Sequence, residues 1–473
     1  MKRSAFFRNA ATAAIGASIA PSILANDHYK RIEGAGNPSG KDAKNIIFLV
    51  SDGMSTGTLN MADLLAQRKL GRGSYWVDLY RNNKVKRGLM DTASANSMVT
   101  DSAAASSAWG GGQRVFNGRV NMGENGEKHT PILQKFKKQN KAVGCVTSVP
   151  ITHATPAGFC VNNKSRGNQS EIAEQYLGLR FDVMLGGGLE YFDASLRKDG
   201  KDLFASYAEA GYHVARSKSD LRTLEANEKP IMGVFHESAI PYAVDHASDK
   251  EKQQTVPTLA EMSQVAINQL SKNENGFVLQ IEGGKVDWAA HGNDIGGLLF
   301  DQLAFDEAVK VALDFAEQRD DTLIIITTDH GNANPGLFYG KEADQNFDKI
   351  QTFKHSNEWV LNNLTKEPTS NQIVDIIDHA QGIQIKKEEA QIIQKHYAQL
   401  SEKDRTNSYK LPFEKLAQIQ KKYTNVGWAG MHHSADFVEI AMLGAGSEML
   451  PQFIKNFELH NFMLKAAGVS VSR

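Results

Sequence analysis

The chain has 473 residues, a formal net charge of −1 and 41% hydrophobic residues. That balance, with no long basic run, gives no footing for nucleic acid or a charged membrane surface. The length allows two or three domains, or one large open α/β sheet. The two cysteines, Cys145 and Cys160, are too few for a disulfide framework, which leaves one bridge or two buried thiols open.

In chain order, the N-terminus comes first. "MKRSAFFRNAATAAIGASIAPSILAND" sets Lys2, Arg3 and Arg8 before a small apolar run, with Ala20 and Ala25 as cleavage points. It reads as an export signal over residues 1–25, with a twin-arginine flavour in "KRSAFFR". The other reading is a membrane anchor, but the run is short and rich in Ala and Gly rather than Leu. Export predicts a periplasmic or secreted protein with no stable membrane anchor.

Strong β-runs follow, each ending in polar residues: "NIIFLV" before "SDG", "AVGCVTSV" before "PITHATP", "GFVLQIEGG", "DTLIIITTDHGN", and lastly "FVEIAMLG". Helical patterns such as "TPILQKFKKQNKA" and "VPTLAEMSQVAINQLSKNENG" lie between them. Buried strands alternating with helices predict an α/β fold, a three-layer α/β/α sandwich around a large, mostly parallel sheet. Residues from about 335 to 430 break the rhythm. There Ala390, Ile393, Tyr397 and Leu400 recur at helical spacing. So do Phe413, Leu416, Ile419 and Tyr423, after Pro412. This predicts a helical insertion whose charge-rich faces are solvated.

Ligands of such sheets bind at the carboxyl ends of the strands, where the acids and histidines of this chain cluster. Asp52 ends the first run, Glu282 a later one, and Asp329 and His330 stand together after another. Asp287 and His291 are four apart; on a helix they share one face and can share one metal. "VTDSAAASSAWGG" sets Asp101 and Ser102 before a run of helix formers. That pair is either an ordinary helix cap or a nucleophile where the helix N-terminus attracts phosphate. Singly, each residue reads as a cap or turn. Jointly, carboxylates and imidazoles at several strand ends plus a helix-start serine suit a two-metal hydrolytic site.

These stretches carry a resemblance. "NIIFLVSDGM", "VTDSAAASSAW", "ATPAGF", "DVMLGGG", "VPTLAEM", "QIEGGKVDWAAHGN", "TTDHGN" and "HHSADFVEIAMLG" resemble the alkaline phosphatase family in its order. The family domain would span residues 40–473, apart from the insertion. The resemblance implies hydrolysis of phosphate monoesters through a phosphoserine on Ser102, with Asp101 orienting the helix turn. It implies one zinc on Asp287, His291 and His433, and a second on Asp52, Asp329 and His330. An auxiliary magnesium would take Asp52, Thr155 and Glu282. Arg166 would clamp the phosphate oxygens, and a homodimer is implied. Mixed imidazole and carboxylate shells suit zinc, and an all-oxygen shell suits magnesium.

The chain departs from the family pattern at two positions. His153 stands where many bacterial members carry aspartate; it would ligate zinc directly or hold a magnesium-bound water, so the third metal is magnesium or zinc. Trp288 stands where many carry a lysine at the phosphate, which predicts weaker phosphate retention and faster product release. Of the two histidines in "MHHSAD", the following "FVEIAMLG" favours His433 over His432. Rival readings are a phosphodiesterase or sulfatase of the same superfamily, a metal-free serine hydrolase, or a phosphate- or metal-binding protein. The chain lacks the sulfatase's Cys/Ser-x-Pro-x-Arg setting and a Gly-x-Ser-x-Gly elbow around Ser102.

Overall fold

The computed structural model describes residues 42–223, 229–405, 407 and 410–469, so the export signal read at residues 1–25 lies outside the described residues. The strands of the main sheet are β1 (Asn45–Val50), β2 (Lys86–Asp91), β3 (Ala142–Pro150), β4 (Val183–Gly187), β5 (His213–Ala215), β6 (Ile231–Val234), β7 (Phe277–Glu282) and β8 (Thr322–Thr327). Four two-residue strands come next: β9 (Gly331–Asn332), β10 (Gly336–Leu337), β11 (Val426–Gly427) and β12 (His433–Ser434). The main sheet then gains β13 (Val438–Gly444) and β14 (Phe453–Lys455).

The main sheet runs β14-β2-β13-β8-β1-β7-β3-β4-β6-β5. Every pairing in it is parallel except the two made by β13, which runs against β8 and β2. "FVEIAMLG" is therefore the one reversed strand, and it is not the last: β14 follows and pairs with β2. The reversal brings the start of β13, and β12 just before it, to the edge where the parallel strands end.

The central strands are buried on both faces, as continuous apolar runs require when helices cover both sides. Ile47 and Leu49 of β1 pack into one helical layer, while Ile46, Phe48 and Val50 pack into the other. β8 divides the same way, Ile324 and Ile326 against Leu323 and Ile325. Each such side chain contributes about 1.5–3 kcal/mol on burial. The result is the three-layer α/β/α sandwich. Cys145 and Cys160 lie inside one layer as thiols, their sulfurs 3.6 Å apart.

Among the described residues, six α-helices stand between β10 and β11: Ala343–Asp348, Asn357–Asn362, Ser370–Gln381, Lys387–Tyr397, Glu402–Arg405 and Phe413–Thr424. β10 and β11 pair antiparallel and close the segment at its neck. Ala390, Ile393, Tyr397, Phe413, Leu416 and Ile419 are buried in the same apolar cluster as Ile47 and Leu49. The segment is thus continuous with one helical layer, and solvent meets only its outer face. Leu400 falls beyond the helix end at Tyr397 and is half-buried. Among the described residues no helix is long and apolar enough to cross a membrane.

Candidate active site

Ser102 begins the Ser102–Gly111 helix and is 1% exposed. Asp101 caps that helix: its Oδ1 accepts from Ala104 N at 2.9 Å. Its Oδ2 accepts from Gly118 N and from Arg166 Nη1, both at 3.0 Å. So the cap and the presentation of Ser102 are one arrangement, with Asp101 also fixing Arg166. The helix lies tightly against Ala154–Cys160: a Cβ on Gly158 would fall 2.1 Å from Ser106 Oγ. Ser106 Oγ donates to Thr155 O at 2.6 Å. Two helix starts, carrying Ser102 and Thr155, are thereby held in register.

Among the described residues, three groups of carboxylates and imidazoles have ligand atoms near enough to share one cation: Asp287–His291–His433, Asp52–Asp329–His330 and Asp52–His153–Glu282. All but His433 follow parallel strands; His433 arrives on β12, which pairs with β9. His432 is exposed and stays outside these groups, its ring 6.5 Å from that of His291.

In the first group, His291 Nδ1 lies 2.8 Å from Met431 O, and His433 Nδ1 lies 2.8 Å from Thr100 O. A carbonyl only accepts, so both Nδ1 atoms carry the proton. The two Nε2 lone pairs then face each other at 3.1 Å, with Asp287 Oδ2 and Oδ1 at 3.5 and 3.6 Å. Lone pairs and a carboxylate converging on one point repel unless a cation sits among them, and second-partner carbonyls that fix the tautomer are usual for metal-bound histidine.

In the second group, His330 Nε2 is 3.2 Å from Asp329 Oδ2, 3.5 Å from Asp52 Oδ1 and 3.3 Å from Ser102 Oγ. Asp329 Oδ1 accepts from Gly53 N and His330 N, each at 3.0 Å, which aims Oδ2 inward. In the third group, Thr147 Oγ1 donates to Glu282 Oε2. Burial pushes the Glu282 carboxyl up to about 7 and Asp329 up to about 6. Among the described residues, both Asp52 oxygens, Asp329 Oδ2, Glu282 Oε1 and Thr155 Oγ1 are buried without a hydrogen-bond partner. Orphaned buried oxygens are expensive, and their gathering on two points fits divalent cations.

His153 Nε2 lies 3.1 Å from Arg166 Nη2. Burial, aided by that guanidinium, lowers its pKa to about 3, so the ring is neutral. With Nε2 accepting from Arg166, the ring proton sits on Nδ1, a donor rather than a ligand. Trp288, on the helix Lys285–His291, meets the His153 ring edge-on at 6.0 Å. Lys285 Nζ lies 5.2 Å from the Trp288 ring centre. A lysine cation thus lies beside the indole at position 288.

Several participants were invisible in the motifs. Asn332, fully buried, donates from Nδ2 to Asp287 Oδ1 at 2.7 Å. Its backbone pairs with His433, and Ser55 Oγ donates to its carbonyl at 2.9 Å. One residue thus ties two members of the first group together. An Asn after "TTDHG" reads as a turn residue, and only its place beside a ligand pair hints otherwise. Asn332→Ala is expected to weaken cation binding at this group about 10- to 100-fold, as lost outer-shell partners do. Competition with a chromophoric chelator measures this, and an unchanged cation affinity would refute it.

The alkaline phosphatase family model matches residues 43–469. Alkaline phosphatase 4 of Bacillus subtilis is 28% identical over 434 residues, 90% of this chain and 88% of that protein. Alkaline phosphatase of Escherichia coli is 32% identical over 347 residues, 63% of this chain and 72% of its own length. The crystal structure of Thermus thermophilus alkaline phosphatase superposes with a TM-score of 0.84 at 31% identity, covering 92% of this chain and 93% of that one. The fold, the serine at a helix start and the surrounding acid and imidazole groups accord with those matches: the chain belongs to the alkaline phosphatase family.

Proposed function

We propose that the protein is a phosphate monoesterase working through a phosphoserine on Ser102. The observation that carries this is a buried serine at a helix start whose Oγ meets His330 of one cation-fitting group, a group that shares Asp52 with a second and stacks His330 on His433 of a third. Asp287, His291 and His433 would hold one zinc, Asp52, Asp329 and His330 a second, and Asp52, Thr155 and Glu282 a magnesium. Bound there, these cations supply Lewis-acid polarisation of the reacting oxygens and offset the charge on phosphorus.

The chain's own groups do the rest. The N–H groups at the start of the Ser102 helix face the phosphoryl group with the positive end of the helix dipole. Arg166, held by Asp101, presents a planar fork suited to two equatorial oxygens. Ser102 Oγ attacks phosphorus, the ester P–O bond breaks and the alcohol departs. Water then attacks the phosphoserine, releasing inorganic phosphate and restoring the hydroxyl. His153 in its Nδ1–H form supports the reading of a residue that holds a magnesium-bound water, and magnesium rather than zinc as the third metal. The N-terminal signal supports export to the periplasm or beyond, and family membership supports a homodimer.

The test is hydrolysis of p-nitrophenyl phosphate at alkaline pH before and after EDTA, with zinc and magnesium returned. Loss on chelation and recovery with zinc is the expected result. A fully metallated protein with no turnover would overturn the reading. Undiminished activity after verified metal removal would point instead to a metal-free serine hydrolase.

A further inference from the structure

The helical segment between β10 and β11 meets the candidate site at the turn after His291. His291 ends its helix, and Gly292, Asn293 and Asp294 turn the chain into the Ile295–Ala316 helix. Phe413, from the segment's last helix, lies against Gly292 so that a Cβ there would be 3.3 Å from its ring. Asn293 takes the left-handed conformation, φ +46°. Asp294 is 1% exposed. Its Oδ1 accepts from Gly297 N at 2.9 Å, capping its own helix. Its Oδ2 accepts from Asn357 N at 2.6 Å and Glu358 N at 3.3 Å, so the same carboxylate receives the start of a segment helix.

Behind that carboxylate, three helices of the segment close a ring of amides. Asn357 Nδ2 donates to Gln420 Oε1 at 2.9 Å, Gln420 Nε2 to Gln381 Oε1 at 2.6 Å, and Gln381 Nε2 to Asn357 Oδ1 at 2.8 Å. All three residues are buried. A satisfied buried polar network admits few arrangements, so it fixes Asn357 and hence the turn at Asp294. Where the chain leaves the segment, Met431 O receives His291 Nδ1, so both sides of His291 are gripped.

We propose that Asp294 and Asn357 are positioning residues, through which the helical segment fixes the turn after His291 and so sets the geometry of the Asp287–His291–His433 group. The inference rests on that group holding a cation, as proposed above. Second-partner groups tune metal affinity about 10- to 100-fold, and this contact acts on a ligand's backbone rather than its ring.

The experiment titrates Co²⁺ into the metal-free full-length protein and follows the d–d absorption that disappears in a His291→Ala control. Zinc competition with a chelator gives the affinity, and thermal melting reports folding. Asn357→Ala changes no charge; it is expected to weaken cation binding at this group tenfold or more and to alter the Co²⁺ bands. Cation binding at the Asp52 groups stays as in the wild type. Lys366→Ala, in an exposed ion pair on the segment's outer surface, leaves all of this unchanged. Asp294→Asn keeps the shape and loses one acceptor, and it carries the test if Asn357→Ala does not fold. A folded variant with the wild-type Co²⁺ spectrum and affinity, even with a lower melting temperature, overturns the inference. A wild-type protein with no His291-dependent signal overturns the metal reading and this inference together.

Discussion

Ser102→Ala will abolish turnover of p-nitrophenyl phosphate while leaving the fold and the metal content intact. Removing a nucleophile that forms a covalent intermediate costs roughly 10³- to 10⁶-fold in kcat, or about 4–8 kcal/mol of barrier. The fold has little reason to respond. The helix cap is made by Asp101, the Ser102 side chain has a 3.3 Å contact with His330 Nε2, and alanine suits the first turn of a helix. Stability should therefore change by less than about 1 kcal/mol. Steady-state rates, zinc content and thermal melting check the three parts. Acid-quenched wild-type protein should carry one phosphate on the peptide containing Ser102, and the variant none. Activity within tenfold of wild type would remove Ser102 from the covalent role and leave it a helix-start residue beside the cations.

What the sequence made legible was the chemistry that sits on strong local patterns. The runs "NIIFLV" and "DTLIIITTDHGN" could only be buried strands, so Asp52, Asp329 and His330 had to lie at strand ends. The four-residue spacing of Asp287 and His291 needed one helical turn, and the Lys285–His291 helix supplies it. What stayed hidden depends on contacts far apart in the chain. β13 has the same apolar pattern as a parallel strand, and only its pairing with β8 and β2 reverses it. Backbone carbonyls leave no trace in a sequence, so Met431 O and Thr100 O, which set the tautomers of His291 and His433, could not be read. The amide ring of Asn357, Gln381 and Gln420 looks like surface polarity in a charge-rich segment, because nothing local says that those helices turn their amides inward.

Asp52→Asn is expected to act in opposite directions on the metal-free and the metal-loaded protein. Asp52 is fully buried, belongs to two of the three groups, and both its oxygens lack a hydrogen-bond partner among the described residues. Burial, and then the charges of Asp329, Asp287 and Glu282, push its carboxyl well above the ordinary range. A carboxyl whose folded pKa is raised binds its proton more tightly in the folded than in the unfolded state. Its contribution to stability is therefore present at acid pH and is lost as pH rises from the ordinary carboxylate range through the raised value. At alkaline pH the metal-free wild type carries the whole cost of that charge, and Asn carries none. EDTA-treated Asp52→Asn should thus melt above wild type at pH 8.5, with the gap narrowing toward pH 4. Cations reverse the order. Binding to the folded state stabilises it by RT ln(1 + [L]/Kd), and Asn replaces an anionic ligand shared by two groups with a neutral one. Zinc and magnesium should then raise the wild-type melting temperature far more than the variant's, and hydrolysis should fall by roughly 10³-fold or more, as loss of a cation's electrostatic contribution does. Calorimetry of both proteins, stripped and reloaded, at the two pH values reads all of this. If the stripped variant melts below stripped wild type at pH 8.5, the unpaired charge is not what burdens this site. If it melts above and zinc fails to lift it, the acid at position 52 is there for the cations.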